Sequence, residues 1–271
     1  MELLISLTES IFFWLFLAAM VAGVVDAIAG GGGLITVPSM LLAGIPPLTV
    51  LGTNRMQSAI GELTACVNFF IKKQLNIEGI LIGIIATTIG TILGSYSISL
   101  FSNELLKIML PILMIGITVY TVLSKRIRDN ISVKTNISIS PFMVISGLLI
   151  GFYNGFFGPG VGSIWMLAFV IFLGKTIKMA SIAAKPLNLI GNIISLIFFM
   201  ILGTVNYKVG LIMGAGQVIG ASIGSHLIIK KGDQLVRPVF ITVTVIMSLK
   251  LIYEGVQDGG VFTNMLSGIG F

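Results

Sequence analysis

GVVDAIAGGGGLITVPSMLL, residues 23–42, returns later in the chain as GFYNGFFGPGVGSIWMLAFV, residues 151–170. Gly23, Gly30 and Gly32 fall on Gly151, Gly158 and Gly160. After a two-residue insertion the register continues, with Gly61, Gly90, Gly94 and Ser95 falling on Gly191, Gly220, Gly224 and Ser225. The period is half the chain, so this is a duplicated half and not a solenoid. A glycine-broken apolar segment at matching places in two halves points to the substrate site of a membrane transporter.

Composition agrees with that class. The chain is 56% hydrophobic and only 10% charged, against about 25% charge in a soluble domain. This predicts an all-α polytopic membrane protein in the cell membrane. The formal net charge of +6 is scattered, without aromatic interleaving. It reads as loop charge setting topology and not as a nucleic-acid footprint. Cys66, the one cysteine, has no partner for a disulfide or a metal and reads as a small apolar filler. No cofactor is expected. Glu2 and Glu9 precede the first apolar run in place of a basic region, which argues against a cleaved signal peptide. No soluble domain is expected at either end.

The apolar segments are Ser10–Ala29, Leu34–Ala43, Thr49–Ile71, Glu78–Leu100 and Asn103–Leu123, then Pro141–Phe157, Ser163–Leu173, Ile177–Leu202, Asn206–Ile229 and Gln234–Tyr253. Most reach the roughly 20 residues needed to span a bilayer. They divide the chain into a first repeat at 1–123, a polar linker at 124–140, a second repeat at 141–253 and a tail at 254–271. Each repeat is predicted as a glycine-broken helical hairpin followed by three transmembrane helices.

Counting basic residues orients the halves. If each broken segment enters and leaves on one face, that face collects Lys72, Lys73, Lys125, Arg126, Arg128, Lys134, Lys175, Lys178, Lys230, Lys231 and Arg237. The other collects Lys107, Lys208 and Lys250. Simple single spans would divide the charges almost evenly. Basic residues mark cytoplasmic loops, so the lopsided distribution predicts inverted repeats, a cytoplasmic linker and both termini outside the cytoplasm. Whether the hairpins are re-entrant or fully spanning stays open. The rows Ala86–Gly90–Gly94 and Gly216–Gly220–Gly224 predict close helix packing.

The most specific polar pattern follows each hairpin. Lys185, Asn188, Asn192 and Ser195 share one helical face, and Arg55, Ser58 and Glu62 hold the aligned positions 130 residues earlier, bordered by Asn54 and Asn68. A charge at membrane depth costs roughly 2.5–3.5 kcal/mol, so it faces a cavity or a partner. Arg55 and Lys185 are therefore expected to bracket an anionic substrate. The competing reading pairs Arg55 with Glu62 inside one helix and lets Lys185 snorkel to the interface; Lys185 has no acidic partner nearby in sequence and is the stronger anion ligand.

The breaks supply backbone donors. Gly30–Gly33 and Gly158–Gly162 are expected to unwind the helix, with Gly31, Gly32, Gly33, Gly160 and Gly162 at the substrate; unwound backbone is tolerated at membrane depth only where it lines a cavity or is buried in protein. The restarting arms present N–H groups and a positive dipole end to an anion, and Ser163 adds a hydroxyl. A plain bend is the alternative. GGGG lacks the Lys-Ser/Thr ending of a phosphate loop, which argues against nucleotide binding. Asp26, aligned with Asn154, could carry a coupling proton or cation or could cap amides freed by the break; Glu62 is the other coupling acid. His226, aligned with Tyr96, suits packing at an interface, and Gln217 and Ser225 are minor cavity liners.

These residues resemble the sulfite exporter (TauE/SafE) family. The resemblance rests on GVVDAIAGGGGLITVPSMLLAGIPPLTVLGTNRMQS, on GFYNGFFGPGVGSIWMLAF and on AAKPLNLIGN, and extends from about Val21 to Tyr253. It implies transport of sulfur-containing anions such as sulfite or sulfonates, with Asn54, Arg55, Lys185 and Asn188 at the family's polar positions. Members often carry lysine where this chain has Arg55, whose fork suits oxyanions. The expected function is secondary transport of a small anion at the repeat interface by alternating access; no ATPase signature is present. An anion channel, a carrier of other organic anions and a non-transporting membrane subunit stay open, as does a homodimer. An intramembrane hydrolase is disfavoured: no Gly-x-Ser-x-Gly elbow exists, and adjacent Ser225 and His226 point to different helix faces.

Overall fold

The computed structural model describes residues 2–75, 79–102 and 137–232, together with Leu105, Pro238 and Thr242. Within them the chain is all-helical, in two sets of four. The first set is α1 (Glu2–Ala29), α2 (Gly33–Leu42), α3 (Pro47–Ile71) and α4 (Ile80–Ser99). The second is α5 (Ile139–Phe156), α6 (Val161–Leu173), α7 (Ile177–Ile201) and α8 (Tyr207–Lys231). Apart from Leu105, Pro238 and Thr242, the third helix expected after each hairpin, the linker up to residue 136 and the C-terminal tail lie outside the described residues.

Local chemistry explains the boundaries. Pro47 opens α3, where its missing N–H costs nothing. Thr176 and Asn206 cap α7 and α8, each side chain accepting from a backbone N–H three residues on, Met179 and Val209 respectively. Among the described residues, five helices are long and apolar enough to cross a membrane: Glu9–Ala29, Ile80–Ser99, Ile139–Phe156, Ile177–Ile201 and Tyr207–Lys231. Equally long α3 is less apolar because it carries Asn54, Arg55, Gln57 and Glu62, all buried. Polarity is thus turned inward and apolar surface outward: Arg55 and Lys185 are each 1% exposed, whereas Phe70 is 74% and Ile201 80% exposed. That inversion suits a lipid solvent.

The halves pack by exchange. Helix α1 lies on α8, and α5 lies on α4. A Cβ at Gly90 would collide with Leu148 and Phe152, one at Gly94 with Phe152 and Phe156; likewise Gly216 faces Phe16 and Met20, and Gly220 faces Met20 and Val24. These glycines let backbones touch, as the sequence rows predict. Thr91 and Ser95 add hydroxyl bonds to the carbonyls of Gly151 and Gly155.

Contact registers fix directions. Residue numbers rise together between α1 and α8, between α3 and α8 (Met56 with Gly210, Asn68 with Ser225), between α4 and α5, and between α4 and α7 (Gly83 with Leu187, Ser95 with Ser195). Between α3 and α7 they run oppositely: Gly52 meets Phe199, while Glu62 meets Asn188. Helix α1 therefore opposes its counterpart α5, α3 opposes α7, and α4 opposes α8. A Gly94→Leu variant should lose about 1–3 kcal/mol of stability through overpacking and melt several degrees lower in detergent. Ile89→Ala, at a half-exposed outward site, should melt as the wild type does; equal melting of both variants would remove the glycine rows from the packing.

Candidate functional site

The two hairpin tips meet inside the bundle. Gly30 packs on Gly162 so closely that a Cβ on either would strike the other's backbone, and Gly30 has φ +72°, which only glycine adopts freely. Ser163 staples the tips: its N–H donates to the Gly30 carbonyl at 3.2 Å and its hydroxyl to the Ala29 carbonyl at 2.8 Å. Tyr153 braces the second break by donating to the Pro159 carbonyl at 2.8 Å. Ser181 on α7 donates to the Ile28 carbonyl at 2.7 Å, fixing the first hairpin to the other half.

Each buried cation crosses to the opposite half. Arg55 and Lys185 sit eight residues past the starts of α3 and α7, about 12 Å along the axis. The Lys185 ammonium donates to the Asp26 backbone carbonyl and to Asp26 Oδ2, the latter at 3.1 Å. The Arg55 guanidinium donates to the Asn154 backbone carbonyl and to Asn154 Oδ1, the latter at 2.7 Å. The sequence leaves no room for a larger residue beside it: a Cβ at Gly158, which has φ +94°, would fall on the guanidinium.

Amide side chains link these pairs to Glu62. Asn192 Oδ1 accepts from Arg55 at 3.1 Å while its Nδ2 donates to Glu62 Oε2 at 3.0 Å. Asn188 donates to Glu62 Oε1 and accepts from Asn154 Nδ2 at 3.3 Å. Asn54 Oδ1 accepts from Thr36 at 2.7 Å and from Gln57 at 2.8 Å, and Gln57 also donates to Ser58 at 2.9 Å. Buried polar groups thus nearly all find partners. The exceptions near the site are Arg55 Nε and Gln57 Oε1, which are buried with no partner among the described residues.

Between the tips and these helices lies a polar cavity lined by Asp26, Gly30, Gly33, Asn54, Ser58, Glu62, Gly158, Gly160, Val161, Gly162, Asn188 and Asn192. Its volume is about 10 Å³, near the lower limit for one water molecule. Of the residues picked from sequence, Asp26, Asn54, Ser58, Glu62, Asn188, Asn192, Gly33, Gly160 and Gly162 line it. Arg55, Lys185, Gly31, Gly32 and Ser163 lie behind it. Lys185 has an acidic partner after all, 159 residues away, and Arg55 reaches Glu62 only through amides, by way of Asn192 or of Asn154 and Asn188. Asp26 Oδ1 accepts from the Gly32 N–H at 3.2 Å, the capping geometry expected of an acid at the break.

Asn154 and Gln57 were missed by the sequence reading, while Gly158 belongs to the second break that it marked. The alignment of Asn154 with Asp26 was the signal that could have found the first. Gln217 is buried but packs against Gly23 and Gly61, Ser225 pairs with Asn68, and His226 faces outward. Cys66 lines an apolar surface groove with Pro186 and Leu189.

The family described as sulfite exporter TauE/SafE matches residues 15–251. The chain is 38% identical over 240 residues to the probable membrane transporter protein YfcA of Escherichia coli (strain K12), covering 89% of each chain. It is equally similar to a probable membrane transporter protein of Haemophilus influenzae, covering 89% of this chain and 94% of the relative. The probable membrane transporter protein YunE of Bacillus subtilis (strain 168) is 23% identical over 90% of this chain and 98% of its own. No solved structure matches. Two duplicated halves, polarity turned inward and a match over nearly the whole length place this chain in the sulfite exporter TauE/SafE family of membrane transporters.

Proposed function

We propose that the protein is a secondary transporter of a small sulfur-containing oxyanion, of the sulfite or organosulfonate class, bound where the two hairpin tips meet. The supporting observation is the placement of Arg55 and Lys185. Two cations, one from each half, are buried one layer behind a polar cavity partly lined by backbone glycines, Lys185 against the lining residue Asp26 and Arg55 against the lining residue Asn192. The unpartnered Arg55 Nε is a further donor suited to an oxyanion. The cavity has room for about one water, so an anion of four or more heavy atoms requires the tips to part. Rocking of opposed halves about a fixed site would open it to each side in turn.

In the bilayer the opposed helix pairs act as inverted repeats. Lys73, Lys175 and Lys178 gather around one cavity at one end of the bundle. Lys178 also contacts the end of α8 through the Ile229 carbonyl, next to Lys230 and Lys231. By the distribution of basic residues this end is cytoplasmic, with the chain termini on the other side of the cell membrane.

Purified protein should bind at least one of sulfite, thiosulfate, taurine or sulfoacetate, and Lys185→Ala should weaken that binding at least tenfold. In the same liposomes Glu62→Gln should keep exchange but lose flux driven by a proton or cation gradient. Simple carboxylates binding alone, with every sulfur anion inert, would contradict the substrate class. Single cysteines introduced at Lys175 and Lys208 should react with an impermeant maleimide from the cytoplasmic and the outer side respectively. Labelling of both from one side would refute the orientation.

A further inference from the structure

The two cation contacts are copies of one another, and their charge is not. Lys185 and Arg55 occupy the same position of the duplicated sequence, and so do Asp26 and Asn154. Each cation holds the backbone carbonyl and the side-chain oxygen of its partner in the opposite hairpin. Duplication has preserved the geometry to the level of the accepting atoms. Lys185 nevertheless faces a carboxylate, whereas Arg55 faces a neutral amide.

The carboxylate also stands in a particular place. Asp26 lines the cavity and Lys185 does not. The Asp26 side chain is 16% exposed while that of Lys185 is 1% exposed. The carboxylate therefore lies between the ammonium and the space an anion would enter. Its other oxygen is held by the Gly32 N–H at 3.2 Å, on the break itself, so it has a partner that does not depend on Lys185. At the opposite contact the neutral Asn154 gives the guanidinium no direct ion pair; Glu62 reaches it only through intervening amides, and Arg55 Nε stays without a partner among the described residues.

We propose that the Asp26 carboxylate is a built-in counter-ion that fills the substrate's place on Lys185, and that the transported anion binds by displacing it. Arg55, held by the neutral Asn154, carries no such competitor. The two sides of the site then differ in kind. Opening on the Lys185 side exchanges one anion for another, while opening on the Arg55 side breaks only hydrogen bonds to an amide. This deepens the reading of the cavity as an anion site and rests on it. It also identifies Asn154 as a determinant of anion affinity, because a carboxylate there would compete for Arg55 as Asp26 does for Lys185.

The test measures sulfite and sulfoacetate affinity of the purified full chain by calorimetry. Asp26→Asn should bind about tenfold more tightly than the wild type and Asn154→Asp about tenfold more weakly, the size expected for one charge-assisted contact. The double exchange, Asp26→Asn with Asn154→Asp, restores the formal charge and should return to within about threefold of the wild type. Binding seen only in Asp26→Asn would support the proposal. A folded Asp26→Asn that binds no tighter than the wild type would overturn it, as would an Asn154→Asp of unchanged affinity. Where Asp26→Asn does not fold, Asn154→Asp decides. Wild type and all variants failing to bind any of these anions would instead defeat the anion site itself.

Discussion

Two full charges cannot sit bare inside an apolar bundle. Desolvating Lys185 and Arg55 is costly unless each is paired and hydrogen-bonded, and neither finds what it needs within its own half. The partners come from the other half: the carbonyl and side chain of Asp26 for one, those of Asn154 for the other. That requirement ties the halves together at their centre, where removing either partner would strand a buried charge. The surrounding architecture answers the same need. Glycine rows let α1 lie on α8 and α5 on α4 at backbone contact, which carries each hairpin into reach of the opposite cation.

The breaks are the second consequence. A helix that ran on past Ala29 or Phe157 would fill the middle with side chains. Glycines stop it, and the tips meet as bare backbone, Gly30 against Gly162, with the Ser163 staple across them. The small volume left is lined by amides, carboxylates and glycine. The closed cavity and the occupied cations describe one condition, in which the protein satisfies its own charges.

Much of this was legible in the sequence because duplication writes the same physical requirement twice. The helical spans follow from apolar run length, and the glycine breaks mark the tips. The i, i+3, i+7 stripes place Arg55, Glu62, Lys185, Asn188 and Asn192 on inward faces, and the structure buries all five. Pairing across the halves was not legible. Lys185 and Asp26 are 159 residues apart, and helical periodicity reports on neighbours along one helix only. For the same reason the stripe shows Asn192 facing inward but not that its amide joins Arg55 to Glu62. Asn154 escaped because an amide carries no charge to flag it, although its alignment with Asp26 was in plain view. The expectation that Ser163 would offer donors to an anion met a competing demand, since both its donors close the tip contact.

The central claim is that an oxyanion binds between the tips, against cations from both halves. Selenite has the shape and charge of sulfite, and selenium scatters anomalously. Crystals of the protein grown with selenite should show an anomalous peak inside the ring of Asp26, Glu62, Asn188 and Asn192, within hydrogen-bonding reach of Lys185 or Arg55. A peak confined to the surface lysines around Lys175, with the central cavity unchanged, would contradict it.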